Sequence, residues 1–147
     1  MAGKEETKME VDVNWLGVGV ATLASMLVGW AWYAKPVFGD LWFKLVKMDE
    51  KKAEKGAPRA LLVALLMSAV TAYVLAHITY LSFTFFEVTY LNAALTTAFW
   101  VWLGLVATRF IVHDAFEQRP PKLTLLNIGN ELVTLLAMGL AIGWVGL

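Results

Sequence analysis

Long stretches almost without charge alternate along the chain with short stretches in which charged residues are concentrated. A helix of twenty residues is ~30 Å long at ~1.5 Å per residue, which matches the hydrocarbon thickness of a bilayer. Each of the apolar stretches is long enough for one crossing. The pattern therefore predicts four transmembrane helices, at about residues 15–34, 60–82, 88–112 and 123–146.

The segment 37–52 follows a different pattern, with apolar residues on one helical face and lysines on the other. This pattern predicts a short amphipathic helix in the headgroup layer. The alternative is that the same helix packs on the bundle. The charged run 49–59 is expected to be a solvated turn, because Gly56 and Pro58 interrupt helices.

Composition supports the same fold class. Hydrophobic residues make up 59% of the chain and charged residues 16%, against about 45–50% and about 25% in soluble domains. The chain has no cysteine, which excludes disulfides, thiolate nucleophiles and cysteine metal sites. We therefore predict one all-α membrane domain over residues 1–147, with a polar N-terminal segment (1–14), four transmembrane helices and one interfacial helix.

The positive charges predict an orientation. Seven lysines and arginines lie in the segment 35–59, and three more are Arg109, Arg119 and Lys122. Outside these two regions the chain has only Lys4 and Lys8. Because positively charged loops are retained in the cytoplasm, both termini are expected outside, with the protein a multi-pass component of the inner (plasma) membrane.

Small residues recur at every fourth position in three of the predicted crossings. In lipid such ridges let helix backbones approach closely. The ridges of the first two crossings are expected to face each other, and the Gly139–Gly143 pair to serve a contact inside the bundle or between copies. The helix-packing residues are Gly17, Ala21, Ser25, Gly29, Ala64, Ser68, Ala72, Gly139 and Gly143.

The tryptophans fall into two groups. Trp30, Trp32, Trp42 and Trp144 are expected at membrane interfaces, where amphipathic rings are enriched. Trp100 and Trp102 fall near the middle of the third crossing. They are interpreted as packing residues, with a lipid or pigment contact as the alternative.

The only constellation of residues in the sequence that could carry chemistry flanks the third connection. Asn127, Asn130, Glu131 and Thr134 share one helical face, and Arg109 ends the preceding crossing. In the structural interpretation Arg109 pairs with Glu131 or reaches the headgroups. In the functional interpretation Glu131 binds a proton or a cation in a membrane pathway.

Catalytic motifs are absent from the sequence, and the lysines are explained by topology without nucleic acid. We expect no catalytic residue, no cofactor and no metal site. His113, Asp114 and Glu117 are weak candidates for binding a metal at the membrane surface, and His113 and Asp114 are the only plausible bases of an enzyme that acts on lipids. The favoured interpretation is that these three residues belong to a helix end exposed to water.

Several stretches resemble the family known as domain of unknown function 1761. They are NWLGVGVATLASMLVGWAWYAKPVFGDLW near the start and FEQRPPKLTLLNIGNELV at the third connection. The resemblance implies four membrane helices in a prokaryotic protein and implies no activity. The chain departs from the family at Asn130–Glu131, where an aromatic residue or a histidine is more common, so Glu131 is a feature of this chain.

The sequence thus favours an accessory or structural membrane subunit, in a homo-oligomer or beside other membrane-protein subunits. The lipid bilayer is an expected partner, and nucleic acid is not. The alternative is a small-solute, proton or ion pathway centred on Glu131, with Asn127, Asn130 and Arg109. An enzyme is the least favoured class.

Overall fold

The computed structural model describes residues 10–147, and in this range it contains helices and no strand. The predicted all-α class is confirmed. The first nine residues, with Lys4 and Lys8, lie outside the described part, so most of the predicted segment 1–14 is not addressed. The helices are α1 (Trp15–Trp32), α2 (Asp40–Val46), α3 (Glu50–Phe86), α4 (Tyr90–Val101), α5 (Thr108–Phe116) and α6 (Pro121–Val145). Two short π-helical segments are Lys35–Gly39 and Trp102–Ala107.

Four helices are long and apolar enough to cross a membrane: α1, α3, the continuous helix Tyr90–Phe116, and α6. Only 17–33% of the most apolar part of each is buried within the protein. The side chains of Leu61, Leu62 and Val63 are each more than half exposed. Such surfaces are unfavourable in water and suited to hydrocarbon.

The four long helices form a ring in which each helix packs against two neighbours. α1 lies between α6 and α3, and α4 lies between the same two helices. Consecutive helices run in opposite directions, so α2 and the α5–α6 hairpin lie at the same end of the bundle. We call this the α2 end and the opposite one the far end. The core is built largely from alanines, including Ala21, Ala72, Ala94 and Ala98, which are fully buried.

Gly139 and Gly143 pack against α4 within the bundle. A Cβ added at Gly139 would lie 2.9 Å from the carbonyl oxygen of Ala94, and one added at Gly143 would lie 2.7 Å from the Cα of Leu91. Real Cβ atoms do not approach backbone this closely, so α6 can sit against α4 only where both positions lack a side chain. The Gly139–Gly143 pair was expected to serve a contact either inside the bundle or between copies. In the structure it serves the contact inside the bundle.

The chain turns sharply after α1 and folds beneath the bundle. Gly39 lies against the carbonyl oxygen of Tyr33, where a Cβ would collide with backbone. The turn brings α2 against α6 and packs the ring of Trp42 edge-on against Tyr33, with 5.8 Å between centroids. The α2 end of the bundle is therefore closed by aromatic side chains.

The structure differs from the sequence prediction between residues 47 and 59. The amphipathic helix expected over 37–52 ends at Val46, because Lys47 adopts a left-handed conformation with φ 52°. The run 49–59, expected as a turn, forms the first turns of α3, and Pro58 lies inside that helix. Lysine, glutamate and alanine are strong helix formers, and Glu50 suits the positive end of the helix dipole. The other crossings begin and end within about one helical turn of the predicted limits.

The third crossing contains a π-helical segment that was not predicted. It begins at Trp102, whose Nε1 donates a hydrogen bond to the carbonyl oxygen of Ile128 on α6, at 2.8 Å. Single π turns inside α-helices re-aim side chains at the expense of one regular hydrogen bond. Here the segment accompanies a hydrogen bond that joins the third crossing to α6.

Candidate functional site

The polar face of α6 lies inside the bundle. Asn130 is 6% exposed, and its side-chain oxygen accepts a hydrogen bond from Thr134 at 3.5 Å. Asn127 is half-buried and accepts a hydrogen bond from the Tyr33 hydroxyl at 3.2 Å. Asn127, Asn130, Glu131 and Thr134 therefore lie on one stripe of α6, as expected. Tyr33, the residue directly after α1, joins this stripe through its hydrogen bond to Asn127.

Tyr33 remains a hydrogen-bond donor over a wide pH range. Burial of its ring, and secondly the negative charge of nearby Glu131, raise the pKa of the Tyr33 hydroxyl to about 12. The hydroxyl therefore keeps its proton at neutral pH.

A cavity of about 610 Å³ lies between α1, α3 and α6 and contains the Glu131 side chain in its wall. Ser25 and Tyr33 come from α1, and Ser68 and Thr71 come from α3. Asn130 and Thr134 of α6 also line it, and the remaining lining side chains are mostly apolar. They include Met26, Leu61, Met67, Leu135 and Met138.

Glu131 is half-buried and forms no hydrogen bond or ion pair with any residue in the range 10–147. It lies ten residues after the start of α6, which is ~15 Å along the helix axis. A carboxylate at such depth is costly in hydrocarbon unless it is paired, protonated or in contact with water. The cavity is the space in which a partner for Glu131 can be accommodated.

Arg109 lies on a different surface from Glu131. It is exposed, and it lines a separate cleft of about 330 Å³ together with Phe110, His113 and residues of the hairpin. The two residues line different cavities, and within residues 10–147 Arg109 forms no ion pair. The Arg109–Glu131 pair, one of the two alternatives in the structural interpretation, is thus not formed within residues 10–147.

The three weak candidates near the hairpin, His113, Asp114 and Glu117, line the same cleft as Arg109. Asp114 is 5% exposed and accepts a hydrogen bond from the Thr124 hydroxyl at 2.7 Å. Arg119 pairs with Glu117 and lies 3.7 Å from Asp114. His113 is exposed. Asp114 therefore serves to join α5, the hairpin and α6.

The tryptophans differ in how far they project from the bundle. Trp30 is 78% exposed and Trp144 is 81% exposed, as expected for rings that anchor a membrane protein. Trp32 instead packs beside Gly129 of α6 and against Phe38. Trp100 is exposed, whereas Trp102 is half-buried against α6.

The small residues of α1 are divided between two neighbours. Gly17 faces Ile142 and Val145 of α6, and Ala21 belongs to the same buried core cluster as Ala72 of α3. Ser25 and Gly29 line the cavity opposite Ala64 and Ser68 of α3. The two ridges expected to face each other therefore share the core cluster at one end and line the cavity toward the α2 end.

Sequence reasoning missed the contributions of Tyr33 and Thr71 to the site. Both belong to helices far from α6 in the chain, and nothing in their spacing indicates that they meet Glu131. The turn at Gly39 was the one local signal near Tyr33, since a glycine after Lys35–Pro36 indicates a change of direction.

Comparison with known proteins gives one match. No curated protein and no solved structure matched the chain. Residues 16–143 match the family described as protein of unknown function DUF1761. The matched range includes all four long helices except their outermost residues, and it contains the Glu131 cavity. The chain therefore belongs to the DUF1761 family.

Proposed function

We propose that the protein binds a small organic cation in the cavity between α1, α3 and α6. The observation that carries the proposal is the Glu131 carboxylate, which lines this cavity without a partner among residues 10–147. A buried carboxylate is stabilised by an opposite charge within about 4–6 Å. Arg109 lines a different cleft and does not supply that charge. A cationic ligand in the cavity does.

The size of the cavity favours an organic cation over a bare ion. Small-molecule sites in proteins typically measure about 300–1,000 Å³, and this cavity measures about 610 Å³. Glu131 is its only charged lining residue, and apolar groups form most of its exposed surface. This division suits a ligand with one charged group and an attached hydrocarbon.

The neighbouring polar groups support the role of Glu131. The hydrogen bond of Thr134 with Asn130 and that of Tyr33 with Asn127 fix the side chains beside it. These four residues therefore form a positioned surface around the carboxylate. If the bound cation also crosses the membrane at this site, the protein has the pathway function that the sequence analysis gives as the alternative.

Binding is tested with alkyltrimethylammonium ions, from tetramethylammonium to decyltrimethylammonium, in phosphatidylcholine nanodiscs. Their charge does not depend on pH. The wild type is expected to bind at least one of them. Its melting temperature is then expected to rise, because a ligand that binds only the folded state stabilises that state. Glu131→Gln is expected to lose both effects, and Glu87→Gln, in the exposed α3–α4 connection, to keep them.

Glu131→Asp guards against a failure of Glu131→Gln to fold, because it keeps the charge and withdraws it by one methylene group. It is expected to bind more weakly than the wild type and to remain folded. Equal binding by wild type and Glu131→Gln would overturn the proposal. If both variants unfold in mild detergent and no probe binds the wild type, Glu131 is structural.

A second candidate function, an accessory subunit beside another membrane protein or a second copy, is favoured by the outward face of α4. Asn92 and Thr96 are exposed there, and Thr96 donates a hydrogen bond to the Asn92 side chain at 3.3 Å. Polar side chains that face hydrocarbon are typical of contacts with further helices. Replacing both with leucine is expected to release a co-purifying subunit or to convert oligomer to monomer on a sizing column. An unchanged assembly would argue against this candidate.

The proposed setting is the inner membrane, with the α2 end in the cytoplasm. The lysines and arginines of segment 35–59 and of the hairpin lie at this end, and such charges are retained on the cytoplasmic side. Both termini would then be outside.

A further inference from the structure

The cavity faces the surroundings through the gap between α1 and α3, and we propose that its ligand is an amphiphilic amine that enters sideways from the bilayer. The inference rests on the function proposed above and specifies the ligand class. We call the gap the α1–α3 window. Its edges are Met26 and Trp30 on α1 and Leu61, Ala64 and Met67 on α3.

The window is bounded at its far end by direct contact between the two helices. Ala21 and Ala72 are fully buried in one core cluster. On the outer surface the rings of Trp15 and Tyr73 stack with 5.4 Å between their centroids. A ligand therefore does not reach Glu131 along the α1–α3 seam from the far end.

The window is bounded at the α2 end by the chain that joins α1 to α3. Lys35, just after α1, forms an ion pair with Glu50, the first residue of α3, at 3.3 Å. Tyr33 lines the cavity on this side, and its ring packs against Trp42 of α2. These contacts place aromatic and charged groups between the cavity and the water at this end.

The back of the cavity is closed by α6. Leu135 and Met138 are at most 2% exposed, and Asn130 is 6% exposed, so there is no opening through these residues. The edges of the window are instead open, since Trp30 is 78%, Leu61 57% and Met67 55% exposed. The exposed side of the cavity therefore faces the surface that suits hydrocarbon.

The chemistry of the two surfaces defines the ligand. Glu131 on the back wall attracts a positive charge, and the edges offer leucine and methionine to an alkyl chain. Methionine side chains are flexible and polarizable, so they adapt to chains of different shape. A ligand with a cationic head and an alkyl tail can place its head at Glu131 while its tail remains in the window or among lipids.

The window itself is tested by filling it. A Cβ added at Gly29 meets nothing within 4 Å, so Gly29→Leu fits the fold and projects into the cavity. Gly19 lies on the same helix with equally open space and does not line this cavity, which makes Gly19→Leu the matched control. Both variants and the wild type are compared in phosphatidylcholine nanodiscs, with Glu131→Gln giving the background from partitioning into lipid.

Decyltrimethylammonium is expected to bind the wild type and Gly19→Leu equally and Gly29→Leu at least about tenfold more weakly. Across the series, the affinity that depends on Glu131 is expected to rise roughly fourfold for each methylene group buried, and tetramethylammonium is expected to show none. Ala64→Leu, on the opposite edge, repeats the test if Gly29→Leu melts well below the wild type.

The outcomes separate the two proposals. If tetramethylammonium binds as tightly as the decyl compound in a Glu131-dependent way and Gly29→Leu has no effect, the site is reached from water. In that case sideways access is overturned while the cation site stands. If no probe binds in a Glu131-dependent way, the cation site fails and the inference fails with it.

Discussion

At the scale of single residues, two polar contacts, one buried and one part-buried, hold the α2 end of this bundle in place. Thr124 and Asp114 join α6 to α5, and both are nearly inaccessible to solvent. Tyr33 joins the end of α1 to Asn127 of α6. Each contact involves a group that is costly to leave without a partner inside a protein, so each can be tested by removing one atom or a few atoms.

Thr124→Val removes the hydroxyl that donates to Asp114 and keeps the shape of the side chain. It leaves the buried carboxylate without this donor. The free energy of unfolding is expected to fall by about 1–3 kcal/mol, measured by thermal or denaturant unfolding in detergent. Thr84→Val is the control, because the exposed Thr84 hydroxyl bonds only to Tyr80 of its own helix. Equal stability of the two variants would contradict the role given to Thr124.

Tyr33→Phe is expected to change the response of stability to alkaline pH. The folded state raises the pKa of Tyr33 from 10.0 to about 12. Folding therefore favours the protonated hydroxyl, and its contribution is complete below pH 10 and is lost as pH rises toward 12. The wild type should lose more stability than Tyr33→Phe between these values. Parallel curves for the two proteins would show that Tyr33 titrates normally.

The residues of the site illustrate what sequence does and does not determine. The stripe from Asn127 to Thr134 was predictable, because helical spacing alone puts those side chains on one face. The separation of Arg109 from Glu131 was not. Helix direction and hairpin length give the depth of each residue, whereas the rotation of each helix about its axis depends on packing with the rest of the bundle.

At the scale of elements, close packing between α4 and α6 depends on the absence of side chains. Gly139→Ala and Gly143→Ala each place a Cβ within 3 Å of α4 backbone. Each is expected to destabilise the protein by about 1–3 kcal/mol, as overpacking does, and the pair together by more. The measurement is the thermal unfolding midpoint in detergent.

Gly19→Ala provides the comparison for these glycines. Nothing lies within 4 Å of an added Cβ at Gly19, and alanine favours helix over glycine by up to about 1 kcal/mol. Its stability should equal or exceed that of the wild type. Loss of stability at Gly19 as large as at Gly139 would mean that flexibility, and not contact with α4, explains the glycines.

The elements that sequence predicted well are those with one dominant physical cause. Charge-free stretches long enough to cross a bilayer became helices. The start of α3 was missed because the run of charge before Pro58 indicates exposure to water, and exposure is compatible with either a turn or a helix. The π-helical segment was missed because it accompanies a contact between Trp102 and α6, which no local pattern contains.

At the scale of the whole molecule, α3 is much longer than a bilayer requires. Its 37 residues extend ~55 Å, against ~30 Å of hydrocarbon. The charged residues are confined to its first turns, and Glu50 pairs there with Lys35 just after α1, so these turns lie at the α2 end. The two ends of α3 therefore offer positions for measuring the orientation of the protein.

Single cysteines at positions 52 and 87 report the two sides, since the chain has no cysteine of its own. A membrane-impermeant thiol reagent added to intact cells is expected to label Glu87→Cys and not Lys52→Cys. After the cells are opened, both should react. Labelling of Lys52→Cys in intact cells would reverse the proposed orientation.

The packing of α1 against α6 has a consequence for biosynthesis. The Asn14 side chain donates a hydrogen bond to the carbonyl oxygen of Gly146, at 3.1 Å, so segments 132 positions apart meet. A nascent chain that has inserted α1 and α3 still lacks the helix that carries Glu131. Until α6 is synthesised, α1 has only part of its packing surface, and the cation site does not yet exist. The charged group thus joins the membrane only when the other walls of its cavity are already in place.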